Sequence, residues 1–307
     1  MKKILVAGEI NVDLILQNFS SFPELGREVL VENCFLTLGS ASLICAMGLA
    51  RLGNDVSFAG KVGCDTYGDF CVDRMREAGI DVSRVIRSGD LKTGITVSIS
   101  SPRDRAMVTY LGAITELRPE ELSEEMLAPF GHVHVSSYFL QERLRPGVRD
   151  VFARAHALGL TTSLDPGCDP ADEWGPDILA TLEETDVFFP NEVEVRGIAR
   201  REDFAEALHA LDNGRTLTVA KLGRNGAMAL ECGKPLAIPV FPVQPIETTG
   251  AGDSFNAGFL HAWLRGMPLI DALRWGAACG ALSTRGLGGT ATQATVEEAV
   301  ALIRSAQ

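Results

Sequence analysis

The feature that most limits the fold is an alternation that runs through most of the chain. Short apolar runs of strand length stand at 4–7, 56–59, 132–136, 160–164 and 187–189, and stretches of helical periodicity at 41–52, 66–78 and 147–158 fall among them. A helix between two strands acts as a crossover, makes the strands parallel and covers a face of their sheet. The pattern predicts an α/β fold with a mostly parallel central sheet and helices on both faces. Asp65 is a predicted N-cap for the second helix. Residues 216–222 and 226–232 predict two strands joined by a turn at Arg224-Asn225-Gly226, and helices are predicted near 253–265, 269–285 and 295–305. Two segments break the rhythm. Residues 10–38 read as extended, with Pro23 and Gly26, and residues 93–112 read as a hairpin turning at Ser101-Pro102-Arg103-Asp104. Together they predict a small β lid on the main sheet. With no internal repeat or linker, residues 1–307 read as one domain.

The chain has 307 residues, 46% of them hydrophobic, which is enough for a large core. No apolar run reaches the ~18–20 residues of a membrane span. The N-terminal MKKILVAG turns polar too soon for a signal peptide and reads as a buried first strand. A net charge of −12 argues against a nucleic-acid partner, so any basic cleft for a phosphorylated ligand would be local. The seven cysteines include no Cys-x-x-Cys pair and read as reduced, mostly buried thiols of a cytoplasmic protein, without zinc or disulfides.

The stretch ETTGAGDSFNAGF at 247–259 carries the chemistry. Gly250, Ala251 and Gly252 leave their amides uncovered, and a helix starting near Asp253 would aim its positive dipole end at the same place. That is an anion site. A carboxylate beside it does not help to bind phosphate, but it can take the proton of a hydroxyl that attacks one. A glycine loop with Asp253 as a plain N-cap is the structural alternative. The string is not a Walker A loop.

This turn resembles the second signature of the ribokinase-like, or PfkB, carbohydrate kinases, and further segments resemble that family in order. GEINVDLI at 8–15 is similar to its opening strand and substrate loop, and LGSASLICAMGLARLG at 38–53 to its first glycine-rich signature. GKVGCDTYG at 60–68, NEVE at 191–194 and KLGRNGA at 221–227 follow. The resemblance implies a ribokinase-like three-layer fold and an ATP-dependent kinase acting on a hydroxyl of a sugar or polyol. Asp253 is then the general base, with Gly250, Ala251 and Gly252 as the anion hole. Asn11, Asp13, Gly39, Ser40, Ser42 and Ile44 are expected at the substrate. Asn191, Lys221, Gly223, Gly226, Thr249 and Gly252 are expected at ATP, with adenine between the 221–226 loop and the region of Ala277 and Gly288. Glu194 is expected to orient Mg²⁺ through water, although Asn191 and Glu194 also have the spacing of a capping box. The resemblance further implies a cytoplasmic homodimer paired through the lid.

The sequence departs from the family at three positions. Ser40 stands where a second glycine is usual. Ile44 stands where an asparagine commonly bonds a sugar hydroxyl, so that part of the substrate would meet an apolar patch or be held from elsewhere. Glu247 stands for the usual aspartate, which in some members binds a monovalent cation such as K⁺ with a loop matching 283–288; the extra methylene would move or abolish such a site. A nucleoside kinase of the same family is the alternative, and a non-catalytic sugar or nucleotide sensor a further one. A dinucleotide-dependent oxidoreductase is disfavoured, because Gly-Glu-Ile-Asn follows the first strand in place of G-x-G-x-x-G. His132 and His134 read as structural. Arg103 and Arg105 read as solvated groups at the hairpin tip, within reach of a substrate anion if the lid closes.

Overall fold

The computed structural model describes residues 3–19, 21–100, 105–231 and 233–306, and all of their side chains except those of Ser100, Arg105 and Glu231. The strands are β1 Ile4–Ala7, β2 Asn11–Phe19, β3 Val31–Leu38, β4 Val56–Gly63, β5 Asp81–Ser88, β6 Gly94–Ser100, β7 Arg105–Tyr110, β8 His132–Val135, β9 Thr161–Leu164, β10 Val187–Phe188, β11 Leu217–Lys221, β12 Ala227–Glu231 and β13 Lys234–Ile238. The α-helices are α1 Ala41–Arg51, α2 Thr66–Glu77, α3 Glu124–Leu127, α4 Val148–Ala157, α5 Asp177–Leu182, α6 Glu192–Ala199, α7 Phe204–Ala210, α8 Ala251–Trp263, α9 Leu269–Ser283 and α10 Val296–Ser305. None of them is long and apolar enough to cross a membrane.

The main sheet runs β13-β12-β11-β10-β9-β8-β1-β4-β5. It is parallel from β11 to β5 and antiparallel only at the β11-β12-β13 edge. Along β1 the side chains alternate between two cores, as a strand buried on both faces requires. Ile4 and Val6 join Leu43, Phe58 and Phe259 on one face, while Leu5 and Ala7 join Tyr138, Val151 and Phe152 on the other. The strand order reverses at β1 and β8: β1 continues outward to β4, and β8 to β9. Open α/β sheets leave their binding crevice at the carboxyl ends of the strands at such a point.

The lid is a second sheet, β3-β2-β6-β7, built from the two segments that interrupt the strand–helix rhythm. The β6–β7 hairpin forms as expected; its turn at 101–104, with Arg103, and the Arg105 side chain lie outside the described residues. Register gives the lid two distinct faces. Asp13 stands opposite Thr37 and Thr96, and Thr96 opposite Thr109, which makes a polar row; the next row is Leu36, Leu14, Val97 and Val108.

The structure differs from the sequence reading in three places. The helix expected near 253 starts at Ala251, because Gly250 adopts φ 73° and the chain can turn helical two residues earlier. Asp253 is therefore not its N-cap. The strands β5 and β13 had no clear apolar signal, since both lie at sheet edges where alternate positions are wet. Of the six described cysteines, Cys45, Cys71 and Cys279 are buried, but Cys34, Cys64 and Cys168 are exposed, on a lid strand and in loops.

Candidate active site

The ends of the parallel strands β1, β9, β10 and β11 and the N-termini of α1, α6 and α8 meet at the crevice. Beyond β1, Glu9 is buried beside the start of α1. Its carboxylate accepts from the Ser42 amide at 3.2 Å, the Ser42 hydroxyl at 2.5 Å and the Gln141 amide at 2.9 Å, while its carbonyl accepts from the Ser40 hydroxyl at 2.6 Å. Burial pushes the Glu9 carboxyl upward, against the pull of the Ser42 and Ser137 hydroxyls. Ser40 also caps α1, its hydroxyl accepting from the Leu43 amide at 3.0 Å, and it holds φ 67° to do so. A non-glycine residue there is strained, which gives a physical reason for the family's usual glycine. Ser42 is fully buried on Glu9.

Asn11 and Asp13 begin the lid strand β2. The Asn11 amide donates to Asp13 Oδ1 at 3.0 Å, the Val12 carbonyl at 3.1 Å and Thr96 Oγ1 at 3.3 Å, and so holds the Asp13 carboxylate in place. Both side chains press on Gly39, where an added Cβ would overlap Asp13 Oδ1 and lie 2.6 Å from Asn11 Nδ2. Ile44 follows on α1. It is 3% exposed and packs under the glycine turn: a Cβ on Gly250 would lie 3.0 Å from its Cγ2 and 2.7 Å from Gly289 Cα.

At the turn, the Ala251 amide donates to the Thr248 carbonyl at 3.2 Å. Gly252 and Asp253 occupy the second and third positions of α8, whose amides have no acceptor within the helix. The half-buried Asp253 carboxyl is pushed up to about 7, first by burial, then by the Asp165 charge, while Lys221 pulls the other way; Glu9 and Asp13 add smaller upward pushes. The same electrostatic neighbourhood thus joins the lid strand, the first strand end and the glycine turn.

Beneath the turn lies a triad that sequence reading missed. Lys221 Nζ stands 2.6 Å from Asp165 Oδ2, and the Asn256 amide donates to the same oxygen at 2.6 Å. Burial opposes ionisation of Asp165, but the Lys221 ammonium and the Asn256 amide outweigh it and hold the carboxyl below its usual value. Lys221 also reaches the cradle floor, 3.5 Å from where a Gly252 Cβ would be. An aspartate just past the apolar strand 161–164 and an asparagine three residues after Asp253, on the same helix face, were the available signals.

Asn191 and Glu194 form a complete capping box at α6. Asn191 Oδ1 accepts from the Val193 and Glu194 amides, and Glu194 accepts from the Asn191 backbone at 2.7 Å and its side-chain amide at 2.6 Å. Burial, and then the Asp165 charge, push the Glu194 acid up to about 8. Lys221 pulls the other way but does not cancel these pushes, and a buried acid among carboxylates suits a further nearby cation. With both oxygens already engaged, it suits contact through water better than a direct bond. Lys221 also bridges to Asn191 through the backbone, and Gly223 and Gly226 shape the following turn at φ 54° and 88°. Glu247 lies behind the glycine turn. It accepts from the Thr249 amide at 3.0 Å, from the Thr249 hydroxyl, and from the Gly288 amide at 2.7 Å.

His132 and His134 belong to a buried polar ladder. His132 bonds Thr161 and Ser163 at 2.8 Å, and His134 bonds Ser163 at 2.7 Å and Ser136 at 2.8 Å. Burial lowers His134 to about 4, so it is neutral and structural. Among the described residues no group of three or more His, Cys, Asp or Glu could hold a metal by itself.

Residues 1–295 match the profile of pfkB family carbohydrate kinases. The ATP-dependent ribose-1-phosphate kinase of Halopiger xanaduensis is 29% identical, over 99% of this chain and 98% of its own. The ribokinase of Haemophilus influenzae is 27% identical over 99% of each chain. A putative ribokinase II from E. coli, solved with ATP and Mg²⁺, superposes with a TM-score of 0.88 at 22% identity, over 99% of this chain and 100% of that one, which establishes the shared fold.

Proposed function

Because the chain belongs to the pfkB family of carbohydrate kinases, we propose that it transfers the γ-phosphoryl of Mg-ATP to a hydroxyl of a sugar, with Asp253 as the base. The observation that carries this reading is the position of Asp253. It follows the glycine turn at the third position of α8, and it shares one electrostatic neighbourhood with Asp13 on the lid. A hydroxyl held between them is close to both an acceptor for its proton and an anion site for the phosphoryl.

Asp13, oriented by Asn11, accepts from sugar hydroxyls, and Gly39 leaves the room that the Asp13 and Asn11 side chains occupy. Asp253 takes the proton of the attacking hydroxyl as the oxygen bonds to phosphorus. The Gly252 and Asp253 amides and the positive end of α8 stabilise charge on the transferring group, and Lys221 adds a fixed cation below them. Asn191, Thr249 and the 223–226 turn lie on the nucleotide side. Glu194 would hold Mg²⁺ through water, and the ion would supply positive charge beside the phosphates. The lid keeps out water, the competing acceptor. We place the protein in the cytoplasm and treat its two sheets as one functional unit.

The lid's apolar face supports a homodimer. Leu36, Val108 and Tyr110 are 41%, 65% and 54% exposed, an unusual amount of apolar surface on one small sheet.

The test is ADP release with Mg-ATP over pentoses, ribose 1-phosphate, hexoses, keto-acids, inositols and nucleosides. Turnover confined to one sugar class is the expected result. Turnover with nucleosides alone would favour the alternative reading, and nucleotide binding without turnover on any acceptor would favour a sensor.

A further inference from the structure

The turn that carries Asp253 is fastened to a second glycine loop, at 286–289, and through it to the lid. Gly288 abuts Thr37 of β3, where an added Cβ would lie 3.0 Å from both Thr37 Cγ2 and Oγ1. Gly289 abuts Gly250 of the turn and Ile44 of α1. One loop therefore touches the lid, the substrate-side helix and the anion turn at once, through Gly288 and Gly289. The tie is Glu247. One oxygen of its carboxylate takes the Thr249 amide and hydroxyl, on the turn; the other takes the Gly288 amide, on the loop. Its own amide and that of Ile246 both donate to the Thr284 carbonyl, at 3.2 and 2.7 Å.

These contacts bear on the monovalent cation that some family members hold beside this turn. Such an ion is ligated by oxygen lone pairs and repelled by N–H groups. Here N–H donors converge on the carboxylate, and the Thr284 carbonyl already accepts two of them. The residues present do not fit the cation. The longer glutamate spans the gap instead and meets the loop through the Gly288 amide.

We propose that Glu247 is a positioning residue that joins the anion turn directly to the 286–289 loop, so that phosphoryl transfer by this protein requires no monovalent cation. The inference rests on the kinase reading, but part of its test does not.

Wild type, Glu247→Asp and Glu247→Gln are prepared in tetramethylammonium chloride and compared with K⁺ and Na⁺ at equal ionic strength. Melting midpoints and rates are recorded, and crystals soaked in Rb⁺ are examined for anomalous scattering. Wild-type melting and kcat are expected to differ by no more than about two-fold in rate between tetramethylammonium and K⁺, with no Rb⁺ at 247 or 284–288. Glu247→Asp, one methylene shorter, is expected to lose about ten-fold in kcat with little change in the sugar KM, and to recover part of it in K⁺. A merely structural residue would move melting and leave that K⁺ rescue absent. K⁺ activation of the wild type by about ten-fold or more, a Rb⁺ peak at Glu247 and the Thr284 carbonyl, or an unchanged kcat in Glu247→Asp would overturn the proposal. If no acceptor supports turnover, the kinase reading fails, and the Rb⁺ and melting measurements still decide whether a cation binds.

Discussion

Asp253 shows how one residue can be costly to the fold while carrying the proposed chemistry. Its carboxyl holds a proton in the folded protein up to pH about 7, whereas the unfolded chain releases it near 3.8. Between those values folding takes up a proton, so stability falls as pH rises through the window, and the full penalty is present above about pH 7. Asp253→Asn removes that penalty, so its melting midpoint is expected about 2 °C above wild type at pH 8, with the gap closing towards pH 4. The same shift sets the rate profile. As a base, Asp253 must be ionised, and kcat/KM is expected to rise about ten-fold per pH unit below 7 and level off above it. A flat profile from pH 5 to 8 would sever the base from the rate. Ser40 gives a second test at this scale. Ser40→Gly relieves a left-handed φ but loses a cap, which glycine replaces at a cost of a few tenths of a kcal/mol, and the bond to the Glu9 carbonyl, so a stability within about 1 kcal/mol of wild type is expected in denaturant unfolding. Ser40→Ala keeps the strain, loses the cap and is expected to destabilise.

Among the elements, the strand ends are tied to helix α8 by the Asp165–Lys221–Asn256 triad. Lys221→Met leaves a buried carboxylate unpaired and is expected to cost about 3–5 kcal/mol in chemical unfolding, while Lys221→Met with Asp165→Leu recovers much of it. If the single variant unfolds like wild type, the pair is not a structural tie. Glu194 caps α6 and is proposed to face Mg²⁺, and Glu194→Gln separates the two roles. Gln still accepts the Asn191 backbone amide but loses the acceptor for the Asn191 side-chain amide, so melting should fall modestly, whereas the Mg²⁺ needed for half-maximal rate is expected to rise about ten-fold. A large melting change with unaltered Mg²⁺ response would leave Glu194 as a cap only. At this scale the sequence was legible wherever a period repeats: the central parallel strands, the main helices and the lid hairpin all stand near their expected bounds. Edge strands β5 and β13 were not, because wet alternate positions dilute the apolar signal. The site was legible where its residues lie in contiguous motifs, as at 247–259 and 191–194. Asp165, Asn256, Glu9 and Gln141 were not, because their partners are brought together only by the order of the sheet.

For the molecule as a whole, the reversal of strand order at β1 and β8 puts Asp13 on the lid, the glycine turn and the Asn191–Glu194 box around one crevice, the proposed sugar, phosphoryl and nucleotide sides. The lid's other face is apolar across all four strands, along the row Leu36, Leu14, Val97 and Val108. Wild type is expected to sediment as a dimer and Val108→Glu as a monomer with raised sugar KM; a wild-type monomer at micromolar concentration would refute pairing through this face. What the assembly must achieve is transfer to a sugar hydroxyl in preference to water. The most direct measurement is a single-turnover quench with γ-labelled Mg-ATP and the best acceptor from the screen, for wild type and Asp253→Asn, with nucleotide and sugar binding measured separately. Wild type is expected to give label in sugar phosphate one-for-one with ADP, and negligible ADP without acceptor. Asp253→Asn is expected to bind both ligands but transfer about 10²–10⁴-fold more slowly. Transfer by Asp253→Asn within a few-fold of wild type would contradict the assignment of Asp253 as the base.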